Sequence, residues 1–355
     1  MSSDNQNAPE STLLSCSSKN SVHYNENVLK ADIDAVKNSS ITLHQLAADA
    51  EKLLDDTFRP DPRTLLSYAE EWGGENGKRY VASAVMACSR KEYVVQVLQA
   101  LGITWLTHLL FTFKTSHGNE NQANDEAFTH FSMPVVGDRK SSFRGRILAR
   151  DGYRCVVTGI QDEKHPMTKL DNVMLIVELE VAHIMHRGID DSINDSSSPS
   201  YKSAVTTFDI IINFTQLSKP MFQDLDYHTS NSMMLQHDLH RAYDKFLWCL
   251  KKTEKQHVYR IKYYKNANAL LPQPNDDQIT FDLPNPHHIA IHAAIAEILH
   301  TSGAGKFFDD ILRIYQDEYG NNSTVRSWLE LEDLMRRTEL LRESITQAFQ
   351  STNVR

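Results

Sequence analysis

His183, Asn231, His240 and Asp244 are the residues whose types and spacing suggest chemistry. Met174 to Ile184 (MLIVELEVAHI) is a β-branched, apolar run in which Val177, Leu179 and Val181 alternate with Glu178 and Glu180, so it reads as a strand with His183 near its end. Asn231 opens a second short strand, and Asp238 is placed to cap a helix after it. On that helix His237, His240 and Asp244 stand three and four residues apart and share one face. Leu239, Tyr243, Phe246 and Leu247 take the adjacent face and pack it down. A strand ending in His, a strand opened by Asn and a helix presenting an imidazole and a carboxylate form a strand–strand–helix unit with a metal-sized focus.

The approach to this unit is basic. Arg139, Lys140, Arg144, Arg146, Arg150 and Arg154 face a single acid, Asp151, in a chain whose 37 Lys and Arg are outnumbered by 46 Asp and Glu. Such a local reversal suits phosphate contact. Arg146, Arg150 and Arg154 are four apart and form one cationic face if a helix persists that far; a solvated helix face is the plainer reading.

The elements that must hold these residues follow from the wider pattern. Residues 1–25 are rich in Ser and Asn and poor in aromatics, which predicts a disordered tail. Residues 26–116 show apolar positions every three to four residues and read as a helical region, with Val94 to Phe113 as a buried helix or helix pair. Residues 117–138 read as a linker, 139–270 as a mixed module of short strands and helix, and 271–355 as helical again. The last of its helices is expected over Thr324 to Gln350. Within the module, the 44 residues from Arg187 to Ser230 are expected to bulge out as an insertion. The expected class is α+β, a ββα-metal module flanked by helical segments.

At 355 residues the chain is long enough for about two domains, and its net charge of −9 excludes a wholly basic nucleic-acid coat. The four cysteines, Cys16, Cys88, Cys155 and Cys249, form no C-x-x-C pair, which argues against a zinc ribbon and for a reducing compartment. Neither a secretion signal nor an apolar run of spanning length is read, so the expected location is intracellular, nucleus or cytoplasm, with no membrane partner.

From about Phe143 to Lys265 the residues resemble the HNH endonuclease family, in the variant common in fungal proteins. The resemblance is carried by the lead-in Arg150-Asp-Gly-Tyr-Arg-Cys155-Val-Val-Thr-Gly159, by Ala182-His183-Ile184, and by Asn231, His240 and Asp244. It implies hydrolysis of nucleic-acid phosphodiester bonds, DNA first, with one divalent cation, Mg²⁺ first and Mn²⁺, Ni²⁺ or Zn²⁺ as alternatives. His183 would be the general base and Asn231 would brace the turn that orients it. His240 and Asp244 would ligate the ion, and Arg146, Arg150 and Arg154 would contact nucleic acid. Many such modules carry a metal-binding side chain just before the base, where this chain has Ala182. Glu180, one pleat back on the same strand face, is the candidate to replace it, with His237 and His186 as further candidates. The alternative implied by Ala182 is a catalytically degenerate scaffold that binds nucleic acid or protein. His288 and His292, also four apart, have no acidic partner and read as incidental.

Overall fold

Helices dominate where apolar residues recur every three to four positions, and among the described residues short strands appear between Gln161 and Thr280. The computed structural model describes residues 29–58, 65–116, 138–166, 176–185, 199–218, 228–264, 278–280 and 284–320. The expected tail, nearly all of the expected linker, His186 and the expected helix over Thr324 to Gln350 lie outside these residues. The chain divides into two compact units: Met1–Thr115, Ile189–Ser218 and Glu297–Arg355 form one, and Ser116–Gly188 with Lys219–Ala296 form the other.

The first unit is helical. Its elements are α1 (Lys30–Lys37), α2 (Leu43–Thr57), α3 (Leu65–Trp72), α4 (Gly74–Cys88), α5 (Val94–Trp105), a π-helical turn at Leu106–Leu110 and α6 (Phe111–Ser116). The Thr42 hydroxyl caps α2 by accepting the Gln45 N–H at 3.2 Å. Val81, Ala82, Ala84, Val85 and Ala87 are fully buried along α4, and these small side chains let neighbouring helices approach closely. The expected buried stretch from Val94 to Phe113 is α5, the π turn and the first half of α6 in succession, with Leu98, Leu101, Trp105, Leu109 and Phe113 inside.

The insertion between His183 and Asn231 carries a 17-residue helix, α8 (Pro199–Thr215), and this helix belongs to the helical unit rather than bulging from the strand module. Phe214 of α8 lies edge-on to Trp105 at 5.5 Å, and a Cβ added at Gly77 would come within 3.0 Å of its ring. Lys30 binds Asp209 at 2.6 Å, and Lys37 donates to the Asn213 side chain. Apolar periodicity in the insertion therefore found a partner surface, and burial of a side chain such as Phe214 stabilises by roughly 1.5–3 kcal/mol.

In the second unit, α7 (Asp138–Arg150) leads into the short strands β1 (Gln161–Asp162), β2 (Ile176–Val177), β3 (Glu180–His183) and β4 (Ser232–Leu235). Helix α9 (His237–Asp244) follows, then β5 (Trp248–Lys252), β6 (Val258–Tyr263), β7 (Gln278–Thr280) and the first part of α10 (Pro286–Thr301). The helix α11 (Ala304–Tyr319) returns the chain to the first unit, where Phe308 meets Phe111 at 5.7 Å. β1 and β2 are parallel, β3 and β4 antiparallel, and β5, β6 and β7 form an antiparallel sheet in that order. The fold is thus mixed and helix-rich with small sheets. Among the described residues no helix is long and apolar enough to cross a membrane. Cys88, Cys155 and Cys249 are buried and unbridged.

Two local expectations are corrected. The single strand read over Met174 to Ile184 is broken at Leu179, because side chains take its ladder groups: the Asp162 carboxylate accepts the Leu179 N–H at 2.9 Å, and Arg144 donates to its carbonyl at 2.9 Å. Asp238 is not the cap of α9. Gln236 holds that position, and Asp238 lies in the first turn, where its charge favours the helix N-terminus.

Candidate active site

The ββα unit is assembled by antiparallel pairing across a long sequence gap. Glu180 faces Leu235, Val181 faces Met234, Ala182 faces Met233 and His183 faces Ser232. Strand alternation places Glu180 and Ala182 on one face of β3 and Val181 and His183 on the other. The Glu180 face is the one turned to α9. There the carboxylate accepts from His240 Nδ1 at 2.8 Å and from His237 Nδ1 at 2.7 Å. The hydrogen bond from His240, reinforced by that from His237 and opposed by partial burial, pulls the Glu180 carboxyl down to about 2.

With Glu180 ionised and able only to accept, the His240 proton belongs on Nδ1, and Nε2 is the nitrogen turned to Asp244 Oδ2 at 3.4 Å. A carboxylate that fixes one ring nitrogen and leaves the other to a cation is the arrangement of outer-shell support at metal-bound histidines. Among the described residues no three His, Cys, Asp or Glu side chains are grouped so as to hold a metal ion. His240 Nε2 with Asp244 fits as a two-point anchor.

Asn231 is fully buried and ends a one-turn 3₁₀ helix, Thr229–Asn231. Its carbonyl accepts the Ile184 N–H at 2.8 Å. Its side chain accepts the Met185 N–H at 3.1 Å and donates to the Met185 carbonyl at 2.7 Å. The two residues after His183 are thus fixed by one asparagine, which explains why that residue type is needed: an amide alone among neutral side chains offers donor and acceptor side by side. The ring of His183 lies parallel to that of Phe143 on α7, 6.0 Å away.

The basic lead-in is distributed differently from the expectation of one cationic face. Gly152 and Tyr153 adopt φ of 65° and 57°, ending α7 at Arg150 and taking Arg154 off the helix. Arg150 is turned inward. It donates to the carbonyls of Thr229 and Ser232 and pairs with Asp151, whose other role is to accept the Met234 N–H at 2.9 Å. Arg154 donates to the Gly159 carbonyl, and Arg146 is exposed with its guanidinium 5.8 Å from the Phe143 ring centre.

The structure therefore brings Glu180, His237, His240 and Asp244 together and attaches Asn231 to the turn after His183. Asp151 and Asp162 are supporting residues that sequence reasoning missed. The signals for them are their places beside Arg150 and in the lead-in loop, since the Leu179 and Met234 N–H groups they hold lie 17 and 83 positions away. His292 is a core histidine, stacked on Tyr243 at 3.7 Å and Phe246 at 4.6 Å, and His288 is buried, which pushes its imidazole down to about 4.

Residues 155–251 match the family model described as HNH endonuclease. The matched stretch runs from Cys155 through β3, β4 and α9 to Lys251 in β5, and it includes every residue of the Glu180 cluster together with His183 and Asn231. The match covers 97 of the 355 residues and carries no fungal subtype. Neither a curated protein nor a solved structure matches the chain.

Proposed function

We propose that the chain is a metal-dependent nucleic-acid phosphodiesterase, with DNA as the first substrate to test and His183 as the general base. The observation that carries this reading is the bracket made by Asn231 on Ile184 and Met185, because it holds the backbone immediately after His183 in a fixed relation to the start of β4. A neutral imidazole accepts a proton near neutral pH. In the proposed step His183 takes a proton from water as the water oxygen bonds to phosphorus, and the bond from phosphorus to the departing sugar oxygen breaks. His240 and Asp244 would hold one divalent ion, with Glu180 fixing the His240 ring and His237 bonded to the same carboxylate. When bound, such an ion neutralises charge on the phosphoryl group and the leaving oxygen. Arg146 and Arg154, both exposed, would contact phosphate, whereas the guanidinium of Arg150 is engaged with backbone carbonyls.

Plasmid nicking with Mg²⁺, Mn²⁺, Ni²⁺ and Zn²⁺ tests the reading. His183→Ala is expected to lower the rate by roughly 10²–10⁴-fold while leaving metal affinity nearly intact, and His240→Ala is expected to lose the metal in calorimetric titration. Absence of nicking by the wild type with all four ions sinks the catalytic reading.

A second reading, a non-catalytic scaffold that binds nucleic acid, is favoured by one observation. Ala182, fully buried on the face turned to α9, offers no ligand, so the anchor for an ion rests on His240 and Asp244. Ala182→Asp separates the two: tighter divalent binding with faster nicking supports an under-ligated enzyme, and no divalent binding in either protein supports the scaffold.

A further inference from the structure

We infer that Ser232 is the positioning residue of His183: its hydroxyl accepts the Nδ1 proton of the imidazole, the Phe143 ring holds the plane of that imidazole, and Nε2 keeps the lone pair that meets water. The inference rests on the reading of His183 as general base. Asn231 fixes only the backbone after His183. A neutral imidazole acts as a base only if its proton is committed to one ring nitrogen and the other is left as the acceptor.

The strand register brings the two side chains together. His183 stands directly opposite Ser232 in the antiparallel pair of β3 and β4. The neighbouring pair, Ile184 with Asn231, is joined by the bond from the Ile184 N–H to the Asn231 carbonyl. By the alternation of an antiparallel ladder, His183 and Ser232 are then a non-hydrogen-bonded pair, the kind whose side chains come closest. The Ser232 carbonyl agrees with this, since it leaves the ladder and accepts from Arg150 of α7. Side chains so paired share one face of the sheet, with Cβ atoms about 4.5–5.5 Å apart. A serine oxygen across that gap comes within reach of an imidazole Nδ1 by rotation about χ1.

Burial selects the roles. Ser232 is fully buried, and among the described residues its hydroxyl has no hydrogen-bond partner. A hydroxyl in that state is destabilising and calls for a use. Nδ1 of His183 is buried as well, which leaves Nε2 as the nitrogen able to meet water. With the hydroxyl as acceptor the proton stays on Nδ1 and Nε2 can take a proton from water; with the hydroxyl as donor Nε2 would carry the proton and the ring could not act as a base. Once Nε2 is protonated the ring is a cation, and its Nδ1–H bond to the hydroxyl strengthens.

The ring plane is set from the other side. Phe143 of α7 lies 9° from parallel to the imidazole with centres 6.0 Å apart, a contact through the ring face that itself takes up neither nitrogen. Its helix is pinned at two places: Arg144 binds the Asp162 carboxylate and the Leu179 carbonyl before β3, and Arg150 binds the carbonyls of Thr229 and Ser232 beside β4. Phe143 is thus held against the end of β3 by the same helix that takes the Ser232 carbonyl.

The test uses the full chain labelled with ¹⁵N in its histidines, in EDTA at about pH 8, where the imidazole is neutral. The ring ¹⁵N shifts of His183, assigned by their loss in His183→Ala, report which nitrogen carries the proton. Wild type is expected to show the Nδ1–H form, and Ser232→Ala, which removes one oxygen and adds nothing, the Nε2–H form that a free imidazole side chain favours. In plasmid nicking Ser232→Ala should lower kcat about tenfold, the weight of one hydrogen bond, with KM and divalent affinity unchanged. The acid limb of its pH–rate profile should move to lower pH, because the lost acceptor favoured the charged ring. Phe143→Leu should lower kcat by a smaller factor and Phe143→Tyr restore it. A wild-type His183 with its proton on Nε2, or a tautomer that Ser232→Ala leaves unchanged, overturns the inference while wild-type nicking leaves the nuclease reading standing. The expected tautomers in a protein that nicks nothing uphold the bond between Ser232 and His183 and remove the catalytic reading.

Discussion

The two compact units bury polar groups on different terms. In the helical unit several of them bond to the carbonyl four residues back, as Ser83 does to that of Arg79, Thr104 to that of Ala100 and Thr107 to that of Ile103. In the ββα unit Arg150, Asp151 and Asn231 reach partners 46 to 83 positions away. Apolar area stabilises the first unit and can be lost piecemeal. A few polar ties set the geometry of the second, and each of them fixes a backbone group at the strand pair or the turn beside it.

The comparison is broken most forcefully at Phe214. Phe214→Ala removes the ring between Trp105 and the α4 glycines, and chemical denaturation should show a loss of about 3–5 kcal/mol. Asn231→Ala deletes a smaller side chain but leaves the Met185 N–H and carbonyl buried without their amide. A loss of about 3 kcal/mol is expected, and nicking should fall with it in the same preparation. If Asn231→Ala costs less than about 1 kcal/mol while activity is kept, the contrast between the units is wrong.

Acid sharpens the same contrast through His108, which lies in the π turn with Nδ1 2.8 Å from the Thr207 hydroxyl of α8. Burial pushes its imidazole down to about 3. The unfolded chain, titrating near 6.5, takes up the proton first as pH falls. The stability owed to neutral His108 is thus complete above about pH 6.5 and is lost toward pH 3, at about 1.4 kcal/mol per unit. Urea unfolding at pH 7 and pH 5 should differ by roughly 2 kcal/mol from this group, and His108→Gln should remove that share. The smallest expected effect is at Arg146: Arg146→Gln should leave stability within about 0.5 kcal/mol and lower the salt slope of duplex binding by about 1 if the side chain contacts phosphate.

Much of the helical unit was legible in sequence because its contacts obey a short period that any window displays. Leu98, Leu101 and Leu109 announce a buried helix by spacing alone. The candidate site was legible for a different reason: His237, His240 and Asp244 share one stretch of helix, and Asn231 precedes them by a fixed step. Legibility failed wherever a distant side chain decided the local outcome. Asp162 and Arg144 break the strand at Leu179, two left-handed residues turn Arg154 away from Arg150, and Phe214 recruits the insertion into the helical unit. The first and last of these have no local signature, since each depends on a partner that only the completed fold brings near.

The place of α8 in the chain has a kinetic consequence. β3 and β4 pair residues as much as 55 positions apart, Glu180 with Leu235, and the helix between them is claimed by the other unit. Loop closure over such a span costs entropy before any ladder bond returns it, which slows the step. During synthesis, at about 5–20 residues per second, α1 to α6 emerge before the helix that fills their groove, and His183 emerges well before Asn231 can seize the turn behind it. Neither unit can be cut out as one continuous piece of chain. Folding of the two is therefore interleaved in time, and a chain halted between His183 and Asn231 holds a half-built helical core and no assembled site.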